Sequence, residues 1–244
     1  MKKLTKEFAE ILGLLCSEGC HVLSYSTYIE NYRGKKRLRK NKKSERIEFY
    51  NKDLKLLKHY CTLLKTSFNY DAKITKNNKI NIGTKAIIEE ILKHTSLGVK
   101  NWAVPKNLKT ASKEVKLAFV RGYFDGDGSA SNNIRFFSSN KAGIVAVRII
   151  LAELGFRFTL QGPILKKGRI PSYVLQLTRP QRETFLNKIK PISKVPAQTT
   201  SCGGIPLVSS KGSLEQSLVK CAGLKKPEDS QFILVKHPLG YPVS

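Results

Sequence analysis

The sequence predicts an α+β protein built as two similar halves, and three observations carry that expectation. Apolar spacing alternates between the helical period and the strand period, so that each half runs helix, hairpin, helix, hairpin, helix. Two stretches at corresponding points, residues 11–19 and 120–128, match each other position by position. The segment LGVKNWAVPKNLKTA, ending in Pro and polar residues, separates the two runs.

In the first half, Phe8, Ile11, Leu12, Leu14 and Leu15 fall on one helical face over residues 5–17. Residues 21–32 are β-branched and aromatic and read as a strand. Residues 33–43 carry eight basic residues out of eleven; so much charge does not pack into a core, and a solvent-facing hairpin or arm is expected, with SERIEFY as the returning strand. Residues 51–68 form a helix capped by Asn51 or Asp53, 71–83 a hairpin turning at Asn77 and Asn78, and 84–94 a helix. In the second half, 112–126 is a helix capped by Ser112, and 129–139 a hairpin turning at Asn132 and Asn133. Residues 140–156 are a helix, 157–178 a hairpin around Lys166 and Gly168, and 179–190 a helix with Pro180 near its start. The expected units are 1–105, 106–195, and a loosely ordered tail over 196–244, rich in Gly, Ser and Pro.

Composition narrows the function. The chain of 244 residues carries 44 Lys and Arg against 18 Asp and Glu, a formal charge of +26. A folded protein this basic meets a polyanion, and nucleic acid is the first expectation. Five cysteines, an odd count, argue against a disulfide scaffold, and the lack of any CxxC pair argues against a zinc finger. The N-terminal apolar run is interrupted by Glu7 and Glu10 and is too short to span a bilayer, so no membrane is expected. An intracellular protein is expected, in cytoplasm or organelle matrix.

Against that charge, FVRGYFDGDGS places two aspartates behind an apolar helical run. An EF-hand is excluded, since Ala130 stands where Gly should follow and Phe136 where Glu should stand. When the matched stretches are laid together, Gly13 falls on Gly122, Gly19 on Gly128 and Glu18 on Asp127, whereas Asp125 falls on Cys16. Only one acidic position is common to both copies. A glycine inside a helix costs about 1 kcal/mol relative to alanine, and close approach of two helix backbones is a physical return for that cost. If Gly13 and Gly122 face one another, the helix ends bring Glu18 and Asp127 together at two negative dipole ends. A divalent cation relieves the repulsion, and oxygen ligands suit Mg²⁺. A basic surface around an acidic metal pair is the arrangement that phosphodiester hydrolysis needs.

FVRGYFDGDGS resembles the LAGLIDADG motif, and ILGLLCSEG resembles it more distantly. Over residues 5–196 the chain is similar to the double-motif, single-chain homing endonucleases encoded within introns. The resemblance implies two pseudo-symmetric αββαββα halves, each with a saddle-shaped antiparallel sheet, packed through the two motif helices. It implies sheets seated in the DNA major groove and cleavage of both strands at a long asymmetric site. Glu18 and Asp127 carry over as catalytic metal ligands, with Gly19 and Gly128 assigned to the same site and Mg²⁺ or Mn²⁺ as cofactor. Lys100 and Lys194 are the candidates for the basic residue that the family places near the end of each half. Where the family often has Gln or Lys at the end of the second strand, this chain has Phe49 and Ser138, followed by Tyr50 and Ser139.

DNA contacts are expected from Tyr25, Thr27, Glu30, Asn31, Arg33, Lys35, Lys36, Arg37 and Arg39 in the first half. In the second half they are expected from Ser131, Asn133, Arg135, Ser138, Lys166, Lys167, Arg169 and Gln176. Strand alternation sends only every other residue to the DNA, so register decides among them. The expected partner is double-stranded DNA, bound by a monomer. The alternatives are an intron maturase of the same fold, with intron RNA as partner, and a catalytically inactive DNA-binding protein.

Overall fold

A computed structural model describes residues 4–131 and 133–194; the tail expected over 196–244 lies outside them. Helix α1 (Lys6–Glu18) starts at Thr5, whose hydroxyl accepts the Phe8 N–H at 3.2 Å. It runs without a loop into β1 (Gly19–Tyr32). Arg33 and Gly34, both at positive φ (48° and 76°), form the two-residue turn into β2 (Lys35–Tyr50). The basic run is therefore the outer part of a 16-residue strand. Helix α2 (Leu54–Phe68) is capped by Asp53, which accepts from the N–H groups of Lys55 and Leu56. Next come β3 (Lys79–Ile82) and α3 (Lys85–His94).

The second half holds α4 (Lys113–Asp127), β4 (Gly128–Ser129), β5 (Arg135–Ser138), α5 (Lys141–Glu153), β6 (Phe158–Ile164), β7 (Ser172–Leu177) and α6 (Arg182–Ile189). Two antiparallel sheets result, ordered β1-β2-β3 and β4-β5-β7-β6. Among the described residues they depart from the expected symmetry in two places. The hairpin expected over 71–83 reduces to a single bridge between Ile74 and Ile80, because β3 pairs with β2 through Ile47–Ile82 and Phe49–Ile80. The hairpin expected over 129–139 has strands of only two and four residues, against 14 and 16 in the first half.

Helices α1 and α4 lie against each other with almost no side chain between them. A methyl on Gly13 would meet the Phe119 carbonyl oxygen and come within 2.9 Å of the Tyr123 nitrogen. One on Gly122 would meet the Glu10 carbonyl oxygen and come within 2.9 Å of the Leu14 nitrogen. Each glycine thus faces the backbone of the opposite helix one turn from the other glycine. Gly126, which has no glycine counterpart in the first copy, is also tight, since a methyl there would meet the hydroxyl and Cβ of Ser17.

An ion pair crosses the same seam. Glu10, 1% exposed, takes Arg121 through both carboxylate oxygens and His59 of α2 at 2.7 Å. Burial works against the charge, yet the His59 and Arg121 hydrogen bonds hold the Glu10 carboxyl below its ordinary range.

Each half then adds its own core. Phe49 of β2 packs on Tyr60 of α2 with centroids 4.4 Å apart and the rings tilted by 39°, in one core with Leu57, Leu64 and Ile88. In the second half Phe124, Phe136, Phe156 and Phe158 converge on Phe185 of α6. Between α3 and α4, Trp102 packs its ring on Gly143 of α5, and its carbonyl accepts from the Asn140 side chain at 2.6 Å.

Gly122→Ala, which sets a methyl against backbone, is expected to lower stability by about 1–3 kcal/mol or more. Arg121→Ala leaves the buried Glu10 charge with His59 as its remaining partner, at a cost of up to about 3–5 kcal/mol. Both losses are read as lower melting temperatures, and a Gly122→Ala protein that melts like the parent would refute the close helix contact.

Candidate carboxylate pair and nucleic-acid interface

Glu18 and Asp127 are the last residues of α1 and α4. The glycine seam lies on both helices above them, and so their ends emerge side by side. Both line one cavity of about 400 Å³, bounded by Val99 and Trp102 on one side and by Ser138, Ser139 and Ser172 on the other. Burial and the charge of Glu18 push the Asp127 carboxyl up to about 7, with Lys194 opposing. Burial also raises Glu18, again with Lys194 opposing. Two helix C-termini, which carry partial negative charge, point at the same place. Gly19 and Gly128 directly follow the two acids, and a side chain on either would run into Leu15 or Phe124 of its own helix. These glycines let the strands depart from the helix ends without moving the carboxylates.

The donors suit a hard divalent cation. Two carboxylates that repel each other supply oxygen only, and among the described residues no cluster of three His, Cys, Asp or Glu exists to close a zinc-type cage. Mg²⁺ and Mn²⁺ keep waters and accept phosphate oxygens beside one or two carboxylates, and such a site fits here. Of the expected lysines, Lys194 places its charge on both acids. Neither lysine lines the cavity itself, although Lys100 follows Val99, which does.

Register sorts the expected DNA contacts. Ile47 and Phe49 of β2 are buried against the helices and pair with His21 and Gly19, so the odd positions of β1 share the core-side face. Tyr25, Thr27 and Asn31 therefore lie on that face, and the open face carries Ser24, Ser26, Tyr28, Glu30 and Tyr32. The pairing steps from Ser26–Lys42 to Tyr28–Arg39, so β2 spends one extra residue opposite Thr27. That bulge, with Asn41 at φ 50°, reverses the alternation of β2. Lys42 and Arg46 below it and Lys35, Arg37 and Arg39 above it all face the open side, while Lys36 does not. Arg33 sits in the turn itself. On the open face Arg39 pairs with Glu30 at 2.9 Å, Lys42 donates to the Tyr28 hydroxyl at 2.9 Å, and the Arg37 guanidinium sits over the Tyr32 ring.

In the second sheet Arg135 donates to the Gln176 side chain at 3.1 Å, and both belong to the open face with Thr159, Gln161 and Phe137. Ser138 does not: it is 7% exposed on the core side, where its hydroxyl accepts the Asn140 N–H at 3.0 Å and the residue forms part of the cavity wall. Ser131 is exposed, with its carbonyl accepting from Arg182; Asn133 is half-buried before β5. Lys166, Lys167 and Arg169 occupy the exposed β6–β7 connection. Sequence reasoning missed Tyr28, Tyr32, Lys42, Arg46, Lys79 and Asn81 on the open face. The alternation in RIEFY carried the signal for Arg46 and Lys42, since buried Ile47 and Phe49 fix which way their neighbours point.

Two helices ending in paired acids, each leading into an antiparallel sheet, define the LAGLIDADG fold, and residues 114–190 match the family model of a LAGLIDADG-like domain. In fold the chain is similar to the homing endonuclease I-DmoI. Its structure in complex with DNA and Mn aligns with a TM-score of 0.54 at 21% identity, covering 75% of this chain and 96% of that one. Its structure in complex with DNA and Ca aligns at 0.53 and 21%, covering 75% and 88%. A DNA polymerase of Thermococcus kodakarensis is 30% identical over 152 residues, 61% of this chain; the chain spans 8% of that relative's length.

The raised Asp127 carboxyl makes stability depend on pH. A carboxyl whose folded-state value lies above its ordinary 3.8 contributes stability that is present below 3.8 and lost as pH rises through about 7. Metal-free Asp127→Asn, which carries no charge there, is expected to melt above the parent at pH 8, with the gain shrinking as pH falls towards 4. Parallel melting curves over that range, recorded with chelator, would contradict the raised carboxyl of Asp127.

Proposed function

We propose that this protein is a site-specific DNA endonuclease that hydrolyses phosphodiesters in both strands of a long asymmetric duplex, using Mg²⁺ or Mn²⁺. One observation carries the reading: two carboxylates that repel each other sit at the ends of two closely packed helices, beside an open, basic sheet face. Cys20 of β1 and Phe137 of β5 belong both to the open faces and to the cavity wall, so the acids lie where the two faces meet.

The chain's own groups divide the work. Lys35, Arg37, Arg39, Lys42 and Arg46 neutralise phosphates and hold the duplex against the first sheet. Tyr28, Tyr32 and Ser26 in the first half, and Arg135, Gln176 and Gln161 in the second, present the mixed donors and acceptors that major-groove base edges require. Glu18 and Asp127, which both line the cavity, would hold the divalent ion. When bound, that ion activates water and stabilises the leaving oxygen. Lys194 adds a cation beside the reacting phosphate. The DNA complexes of I-DmoI, obtained with Mn, Mg and Ca, support the same reading here.

The reading is tested with a randomised duplex library incubated with protein and Mg²⁺, with cut molecules sequenced. A consensus site cut on both strands is expected, and Asp127→Asn should abolish cleavage while binding in Ca²⁺ persists, because the groups that hold the phosphates lie elsewhere. Undiminished cleavage by that variant would remove Asp127 from the site. Neutralising Lys35, Arg37, Arg39 and Lys42 together is expected to flatten the logarithmic salt dependence of binding by about 0.9 for each phosphate left without its cation. An unchanged slope would mean that this face of the hairpin does not touch DNA.

A further inference from the structure

Asp125 stands two residues before Asp127, yet it does not line the carboxylate cavity. It is 1% exposed and turned away, towards the segment that follows α6. Its Oδ1 accepts the N–H groups of Ile192 at 2.9 Å and Ser193 at 2.8 Å, together with the Ser193 hydroxyl at 3.1 Å. Its Oδ2 accepts the Ile192 N–H at 3.0 Å, and its backbone carbonyl takes the Ser193 hydroxyl at 3.3 Å. Two successive backbone N–H groups converging on one carboxylate form an anion-binding nest, occupied here from within the chain. The next residue is Lys194, whose charge acts on both Glu18 and Asp127.

The first half lacks this device. Cys16 holds the position equivalent to Asp125, and its sulfur lies 3.5 Å from the Thr95 hydroxyl and 3.7 Å from the Ala103 carbonyl oxygen. Those contacts are weak and neutral. The loop beyond them brings Val99 to the cavity wall, and the lysine whose charge acts on the two acids is Lys194 of the second half.

We propose that Asp125 is a positioning residue: by binding the backbone of Ile192 and Ser193 it fixes where the chain delivers Lys194, so the carboxylate site is served by one anchored lysine, from the second half. A lysine side chain turns freely about its four-carbon stem, and the place where its Cα is held decides whether the ammonium group reaches the site. Displacement of such a group by about 1 Å costs on the order of a hundredfold in rate. The inference rests on the DNA-cleavage reading for its effect on rate, and on the hydrogen bonds alone for the anchoring.

The test uses the full chain, with Asp125→Ala, Ser193→Ala, Lys194→Ala and the Asp125→Ala/Lys194→Ala double variant. Amide hydrogen exchange of the metal-free protein reads the anchor. In Asp125→Ala the Ile192 and Ser193 amides are expected to exchange faster, with α4 and α6 as protected as before. Single-turnover cleavage in Mg²⁺ reads the consequence. Asp125→Ala and Lys194→Ala are each expected to lose about 100-fold in single-turnover rate at saturating protein, and the double variant to be no slower than Lys194→Ala alone. Ser193→Ala, a milder change at a half-exposed residue, should lose less in the same direction and serves if Asp125→Ala fails to fold. Losses that multiply in the double variant would overturn the proposal, since independent sites add in free energy. Unchanged exchange at 192–193, or parental rates in both Asp125→Ala and Ser193→Ala, would overturn it equally. Faster exchange confined to 192–193, in a protein that cuts no member of a duplex library, would support the anchor and overturn the cleavage reading instead.

Discussion

The contact of α1 with α4 through Gly13 and Gly122 is the constraint on which the rest of the structure depends. Backbone meets backbone there, and the hydrogen at each glycine is the largest substituent the gap admits. At the two glycines no side chain intervenes, so the contact fixes the separation of the two helices and with it the separation of their ends. The buried Glu10 pair with Arg121 adds direction to the contact. A buried ion pair contributes little net stability, but it penalises any slip that would part the charges.

That rigidity explains how two carboxylates can be kept together when electrostatics alone would part them. Glu18 and Asp127 end helices whose packing is decided higher up, and the strands begin at the very next residues. The repulsion is thus held by the seam; burial first, and the charge of Glu18 second, raise the Asp127 carboxyl. A cation relieves it, whether metal or lysine. The same construction gives the acids a fixed place relative to the open sheet faces, because helix end and strand start share one stretch of chain.

The two halves share a plan and differ in detail, and the differences follow from what each sequence can pair. The first half extends its hairpin on a run of basic residues that interleave with Tyr28 and Tyr32, giving a long charged ribbon. The second half keeps a stub for β4 and β5 and relies on an aromatic core around Phe185. At the motif itself, Asp125 binds the turn at 192–193 where Cys16 makes only weak neutral contacts.

The sequence by itself determined most elements and their order, the hairpin over 71–83 excepted, since periodicity and caps are local: Asp53 caps α2, Pro180 stands at the start of the last helical segment, and the repeat of Gly13 with Gly122 was legible as a helix contact. It also marked Glu18 and Asp127, because one acid recurs at the same helix end in both copies. Only the tertiary structure decided which residues face the open side of the sheets. One extra residue opposite Thr27 reverses the alternation along β2, and that bulge is a property of pairing between strands, invisible in either strand alone. Lys35, Arg37 and Arg39 reach the open face and Lys36 the core-side face for that reason, whereas Tyr25, Thr27 and Asn31 fall on the core-side face because β1 alternates unbroken from Gly19 and His21, which pair with buried Phe49 and Ile47. The role of Asp125 was hidden for a related reason: its partners stand 67 and 68 positions along the chain, and only folding brings them to it.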